Sequence, residues 1–122
     1  MNVKIDTKEK FCVIRIEETQ FIDTMSAEIT QLCEQKLGEP IRNVIIDLSK
    51  VEQISDSVIE TLSNLHQLFY NSQASFVICC VKNELAKHMI ELVETIEYAI
   101  TPTESEAWDI VQMDEIEREL LD

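Results

Sequence analysis

The chain has 122 residues, enough for one domain and short for two. Ten Lys and Arg stand against 24 Asp and Glu, a formal net charge of −14, while 45% of the residues are hydrophobic; a packed core is within reach, and nucleic acid or an anionic membrane surface is disfavoured as a partner. The single glycine, Gly38, rules against a Gly-rich phosphate loop or a GxGxxG dinucleotide turn.

The elements read in chain order as follows. Residues 2–6 and 11–17 form two strands joined by the polar connector Thr7-Lys8-Glu9-Lys10. In the second strand Cys12, Ile14 and Ile16 share one face, and Phe11, Val13, Arg15 and Glu17 share the other. A helix follows at about 24–37, with Ile29, Leu32, Cys33 and Leu37 at helical spacing. Gly38 falls at its C′ position, and Pro40 stops continuation. Asn43-Val44-Ile45-Ile46-Asp47-Leu48 reads as a buried central strand. A second helix covers about 57–71, with Val58, Ile59, Leu62, Leu65 and Phe69 on one stripe and a capping-box pattern at Ser57 to Glu60. Residues 75–81 form the next buried strand, and a third helix at about 83–94 starts from Asn83 as N-cap. Glu97-Tyr98-Ala99-Ile100 is a short last strand. The final helix takes Thr101 as N-cap, Pro102 at N1 and Glu104 at N3, and turns Ala107, Trp108 and Val111 inward.

The order β-β-α-β-α-β-α-β-α predicts an α/β domain spanning 1–122. Its sheet has four to five strands and is mixed: the later strands are parallel, and the helices lie mainly on one face. From Glu104 onward the chain carries eight acids and one base, a net −7 and half of the total charge. That segment reads either as the solvated face of a terminal helix or as a surface that selects basic proteins.

The N-terminus lacks the apolar stretch and cleavage site of a signal peptide, and no run of about 18 apolar residues occurs, so a cytoplasmic protein without a membrane span is expected. Cys12, Cys33, Cys79 and Cys80 include no CxxC pair and are not spaced with His66 and His88 as zinc ligands. They read as small buried hydrophobes, with Cys79 and Cys80 on opposite faces of a strand; no metal and no cofactor are expected. GxSxG, HExxH and P-loop patterns do not occur, and the two histidines fall on predicted helices. No catalytic residue is assigned, and an enzyme is not expected.

One segment stands apart, Asp47-Leu48-Ser49-Lys50-Val51-Glu52-Gln53-Ile54-Ser55-Asp56-Ser57-Val58. A strand ends, a loop crosses, and a helix begins in a Ser/Asp cluster, where ligands and anions are favoured. Helix capping alone also accounts for such a cluster. The segment resembles the STAS domain pattern D-L-S-x-V-x-x-I-D-S-S/T-G of bacterial anti-sigma factor antagonists, with Asp47-Leu48-Ser49, Val51 and Ile54 in register. Ile22-Asp23-Thr24-Met25-Ser26-Ala27-Glu28 is similar to the family's L-D-x-x-T-A-x at the start of its first helix.

The resemblance implies a STAS-like fold and a non-enzymatic regulatory domain. Its partner would be an anti-sigma factor/serine kinase or another regulatory protein, and the chain itself a monomer or weak homodimer. In the family the kinase phosphorylates a Ser or Thr at the start of the second helix, the complex separates, and a phosphatase resets it. Phosphate adds about −1.5 to −2 charge to a surface that must dock closely. In this register Ser55 takes the family's Asp, Asp56 the phosphoacceptor, Ser57 the second Ser/Thr and Val58 the Gly. Three readings follow: Asp56 is a fixed partial mimic of the phosphorylated form, or Ser57 or Ser55 is the acceptor, or the domain is a constitutive scaffold subunit of a larger regulatory assembly. The partner-binding surface implied is Asp23, Ser26, Ser55, Asp56, Ser57 and Val58.

Overall fold

In a computed structural model describing residues 1–121, the chain builds a five-stranded sheet from β1 (Val3–Thr7), β2 (Phe11–Ile16), β4 (Asn43–Asp47), β6 (Phe76–Cys79) and β7 (Ile100–Thr101), in the order β1-β2-β4-β6-β7. The opening hairpin is antiparallel, and the other pairs are parallel. Helices α1 (Ser26–Leu37), α2 (Asp56–Asn71) and α3 (Asn83–Leu92) cover one face. Helix α4 (Glu104–Leu121) covers the other. The mixed sheet with helices mainly on one face is as expected.

Alternation in the strands divides the core. Cys12, Ile14, Ile16, Val44, Ile46 and Ile78 face α1–α3 and pack on Ile29, Cys33, Val58, Ile59, Leu62, Leu65, Phe69 and Met89. Phe11, Val13, Ile45, Val77 and Cys79 face α4 and meet Ala107 and Val111. Burial of each such large aliphatic or aromatic side chain contributes about 1.5–3 kcal/mol, so the three-helix face carries most of the hydrophobic stabilisation.

Two polar networks complete the α4 face. Arg15 sits opposite Asp47 in the β2–β4 register. Its guanidinium donates to Asp6 at 2.9 Å, to Asp47 at 2.8 Å and to Glu104, which ties the first residue of α4 to the sheet. Asn43 is buried at the other end of β4. It donates to the Lys10 carbonyl and to Glu115, and accepts from the Ser75 amide at 2.8 Å. The Ser75 hydroxyl donates to Asp114, and Arg118 donates to Ser75 and Glu115. Three of the acids in the last segment are thus bound internally, while Glu106, Asp109, Glu117 and Glu119 are exposed.

Several boundaries differ from those read in the sequence. Two short strands that periodicity misses, β3 (Gln20–Phe21) and β5 (Gln53–Ile54), pair in parallel beside the main sheet. The first helix begins as a 3-10 turn over Asp23–Met25. The residue ahead of α2 is Ser55, not Ser57, and the one ahead of α3 is Lys82, not Asn83. Glu94–Ala99 form a 3-10 turn in place of the expected strand, which is only Ile100–Thr101. The cap of α4 is Thr103: the Glu106 amide donates to its Oγ1, and Thr101 stays in β7.

Gly38 adopts φ −87, so it is not a left-handed C′ residue. That role falls to Gln73, with φ 59 after α2. The Gln73 amide donates to the Tyr70 carbonyl and the Ala74 amide to the Phe69 carbonyl, the hydrogen-bond pair of a Schellman motif.

Cys12, Cys33 and Cys79 are buried as expected, and Cys80 is half-buried. Cys80 lies just past β6 with φ 64. This left-handed turn breaks the strand alternation, so Cys79 and Cys80 do not point to opposite faces; both side chains meet the α4-side core. Burial and the adjoining Cys80 thiol push the Cys79 thiol above its ordinary pKa.

Candidate functional site

The loop between β4 and α2 is built from the residues that stand out in the sequence. Asp47 Oδ1 accepts the Ser49 amide at 2.8 Å, which closes a turn at the end of the strand. Leu48 and Val51 are fully buried and anchor the loop in the core. The Glu52 and Gln53 amides donate to the Thr19 carbonyl, and the Ser55 amide donates to the Phe21 carbonyl at 3.0 Å. Lys82 Nζ donates to the carbonyls of Ser49 and Val51. The loop is therefore clamped from both sides, and α2 starts at a fixed place.

At that start the 3-10 turn before α1 and the first turn of α2 meet. The Ser57 hydroxyl donates to Asp23 Oδ1 at 2.6 Å, and the Ser55 and Ser57 hydroxyls lie 3.4 Å apart. The hydroxyls of Ser55 and Ser57 hold the Asp23 carboxyl below its ordinary pKa. Asp56 occupies the first turn of α2, where the helix dipole favours a negative charge. Its Oδ1 lies 2.9 Å from His88 Nε2 on α3. Asp23, Asp56, Ser57 and His88 are exposed and Ser55 is half-buried.

Five side chains from three elements thus share one surface: Asp23, Ser55, Asp56, Ser57 and His88. Four were named from the sequence. His88 was read there as a plain helical residue, 32 positions from its partner, and no local pattern links the two. Val58 is a correction: it is fully buried in the three-helix core and presents no side chain to a partner. Ser26 Oγ is also buried and has no partner among the described residues, so it too lies beneath the surface.

The chemistry of this surface is that of charge and hydroxyl recognition. Two carboxylates flank two hydroxyls at a helix N-terminus, and a histidine holds one carboxylate in place. A phosphate on Ser57 would remove the hydroxyl proton that is donated to Asp23 and would set like charge against that carboxylate. No described helix is long and apolar enough to cross a membrane.

Comparison with solved structures gives the same fold. A serine-to-glutamate variant of RsbS from Moorella thermoacetica superposes with TM-score 0.76 at 21% identity, covering 92% of this chain and 96% of that one. An anti-sigma factor antagonist from Mycobacterium paratuberculosis gives TM-score 0.75 at 14% identity, covering 91% and 93%. A chain from the molecular architecture of the stressosome, a signal integration and transduction hub, gives 0.70 at 20% identity, covering 89% and 96%. Comparison of the sequence with curated proteins finds no match. The family model of the STAS domain matches residues 2–107, from the opening hairpin into α4, and the chain belongs to that family.

Proposed function

We propose that this STAS domain is a non-enzymatic regulatory module that docks a protein partner on the N-terminal end of α2. The partner is an anti-sigma factor with serine-kinase activity or a related regulatory protein. The observation that carries this reading is the cluster of exposed Asp23, Asp56 and Ser57 with half-buried Ser55, at the end of a loop held by hydrogen bonds on both sides. The family's phosphoacceptor position is taken by Asp56, which supplies about −1 charge where a phosphate supplies about −2. The site is then a degenerate form of the switch, fixed part of the way toward the released state. Ser57 and Ser55 are the remaining hydroxyls that a kinase could use.

A second reading has its own support. Asp56 is held by His88 and Ser57 by Asp23, so both groups have partners within the fold. A surface so satisfied suits a constitutive scaffold subunit in a larger assembly.

One experiment separates the readings. The protein is incubated with a purified anti-sigma kinase from the same genome and ATP, binding is measured by light scattering, and phosphate is mapped by mass spectrometry. Binding with phosphate on Ser57 or Ser55 supports the switch. Binding with both serines unmodified supports the scaffold. Failure of Asp56→Ala and Asp23→Ala to weaken binding would remove the α2 surface from either.

A further inference from the structure

A second constellation lies at the carboxyl ends of β4 and β6, on the α4 side of the sheet. Asp47, Cys79 and Cys80 bring one carboxylate oxygen and two thiol sulfurs within 4.8 Å of one another. We infer that these three residues form a binding site for one thiophilic divalent cation of the zinc type.

The first support is the donor set. Two cysteine sulfurs and a carboxylate suit zinc and its softer relatives. Sulfurs on a shared tetrahedral zinc, with bonds of about 2.3 Å, stand about 3.8 Å apart. Closing the observed cluster to that size needs a shift of about 1 Å or less. Asp47 already accepts from Arg15 and from the Ser49 amide, one bond on each oxygen. Each carboxylate oxygen has a second lone pair, so a ligand position remains.

The second support is the backbone. Neighbouring residues of a regular strand send their side chains to opposite faces. Cys80 is instead held at φ 64, a conformation that suits glycine or asparagine. That turn places the second thiol beside the first. Strained positions of this kind persist where the surroundings enforce them, and they gather at functional sites.

The third support is charge and access. Arg15 is the one cation in the network, and Asp6, Asp47 and Glu104 surround it, which leaves the neighbourhood net negative. Cys80 is half-buried and gives an ion a way in from solvent. Three protein ligands leave one coordination position for water, as in open zinc sites.

The test is a titration of the reduced full-length protein with Co²⁺, followed by its thiolate-to-cobalt charge-transfer absorption, and then displacement by Zn²⁺. One Co²⁺ per chain with that absorption is expected, and Zn²⁺ abolishes it. Cys80→Ser, at a half-buried position, leaves a single thiolate, so it lowers the band and weakens Zn²⁺ binding at least tenfold. Stoichiometric Zn²⁺ also slows alkylation of Cys80 in the unmutated protein, mapped by mass spectrometry. Absence of the band in the folded protein, an equal band in Cys80→Ser, or unchanged alkylation of Cys80 would each overturn the assignment.

Discussion

The Ser57 hydroxyl on α2 donates to the Asp23 carboxylate at 2.6 Å, joining residues 34 positions apart at the start of two helices. The bond uses the charged form of Asp23, and the carboxyl is held below its ordinary 3.8 by the Ser55 and Ser57 hydroxyls. A depressed carboxyl stabilises the fold only while it is charged. Its contribution is complete above the unfolded value and is lost as the pH falls through the lower folded value. A double-mutant cycle of Asp23→Asn and Ser57→Ala, read by urea unfolding, should therefore show positive coupling at neutral pH and none once Asp23 is protonated. Coupling that persists in acid would mean that the hydroxyl does not serve the carboxylate.

Backbone handedness gives a pair of opposite substitutions. Gly38 has φ −87, and a Cβ placed there meets only the Gln35 carbonyl, at an ordinary 3.6 Å. Gly38→Ala should stabilise the protein by about 0.4–1 kcal/mol, by restricting the unfolded chain. Gln73 is exposed and left-handed at φ 59, a position that favours glycine. Gln73→Gly should stabilise by about 1 kcal/mol, by relieving the Cβ crowding. Denaturant midpoints test both. A fall in both midpoints would show that these backbone conformations are not the ones adopted in solution.

Asn43 is the polar residue on which α4 depends. It is 4% exposed, and it satisfies the Ser75 amide, the Lys10 carbonyl and Glu115 together. Asn43→Ala leaves the buried Ser75 amide without its partner, at a cost of about 1–3 kcal/mol. A loss of roughly 1–3 kcal/mol in urea unfolding is expected, since the exposed Lys10 can turn its carbonyl to water. Hydrogen exchange should also rise first in the second half of α4. A loss below about 0.5 kcal/mol would mean that water replaces these bonds without penalty.

The parts of the fold legible in the sequence are those that repeat. Cys12, Ile14 and Ile16 against Phe11 and Val13 divided β2 between the two cores correctly, because a strand alternates whatever surrounds it. Val58, Ile59, Leu62, Leu65 and Phe69 marked the inner stripe of α2 for the same reason. Helix starts were less legible. Serines at 55 and 57 both suit a cap, and the choice is made by the Phe21 carbonyl, which accepts the Ser55 amide from a distant strand. The paired strands β3 and β5 are two residues each, too short to show a period. The candidate site was legible where one motif spans it, from Asp47 to Ser57. His88 was not, since its contact with Asp56 exists only once α3 packs beside α2. The Cys79–Cys80 arrangement was misread because alternation fails at a left-handed residue, which nothing in the local sequence announces.

His66 gives the protein a pH-dependent stability of predictable sign. It is half-buried on α2, in a groove that it lines with Asp114 and Arg118 of α4. Burial lowers its pKa below the ordinary 6.5, and the negative charge of Asp114 opposes that shift. Folding therefore favours the neutral ring. Above about pH 6.5 the ring is neutral in both states, and its contribution is complete. As the pH falls below that value, the unfolded chain takes up a proton that the folded chain does not, and stability declines until the folded pKa is reached. Urea unfolding between about pH 7.5 and 5 should show this decline, and His66→Gln should flatten it. Asp114→Asn removes the opposing charge and depresses the His66 pKa further, so it should steepen the decline even though it also costs the Ser75 bond. The two variants thus move one slope in opposite directions. A slope unchanged in both would assign the pH dependence to groups other than His66.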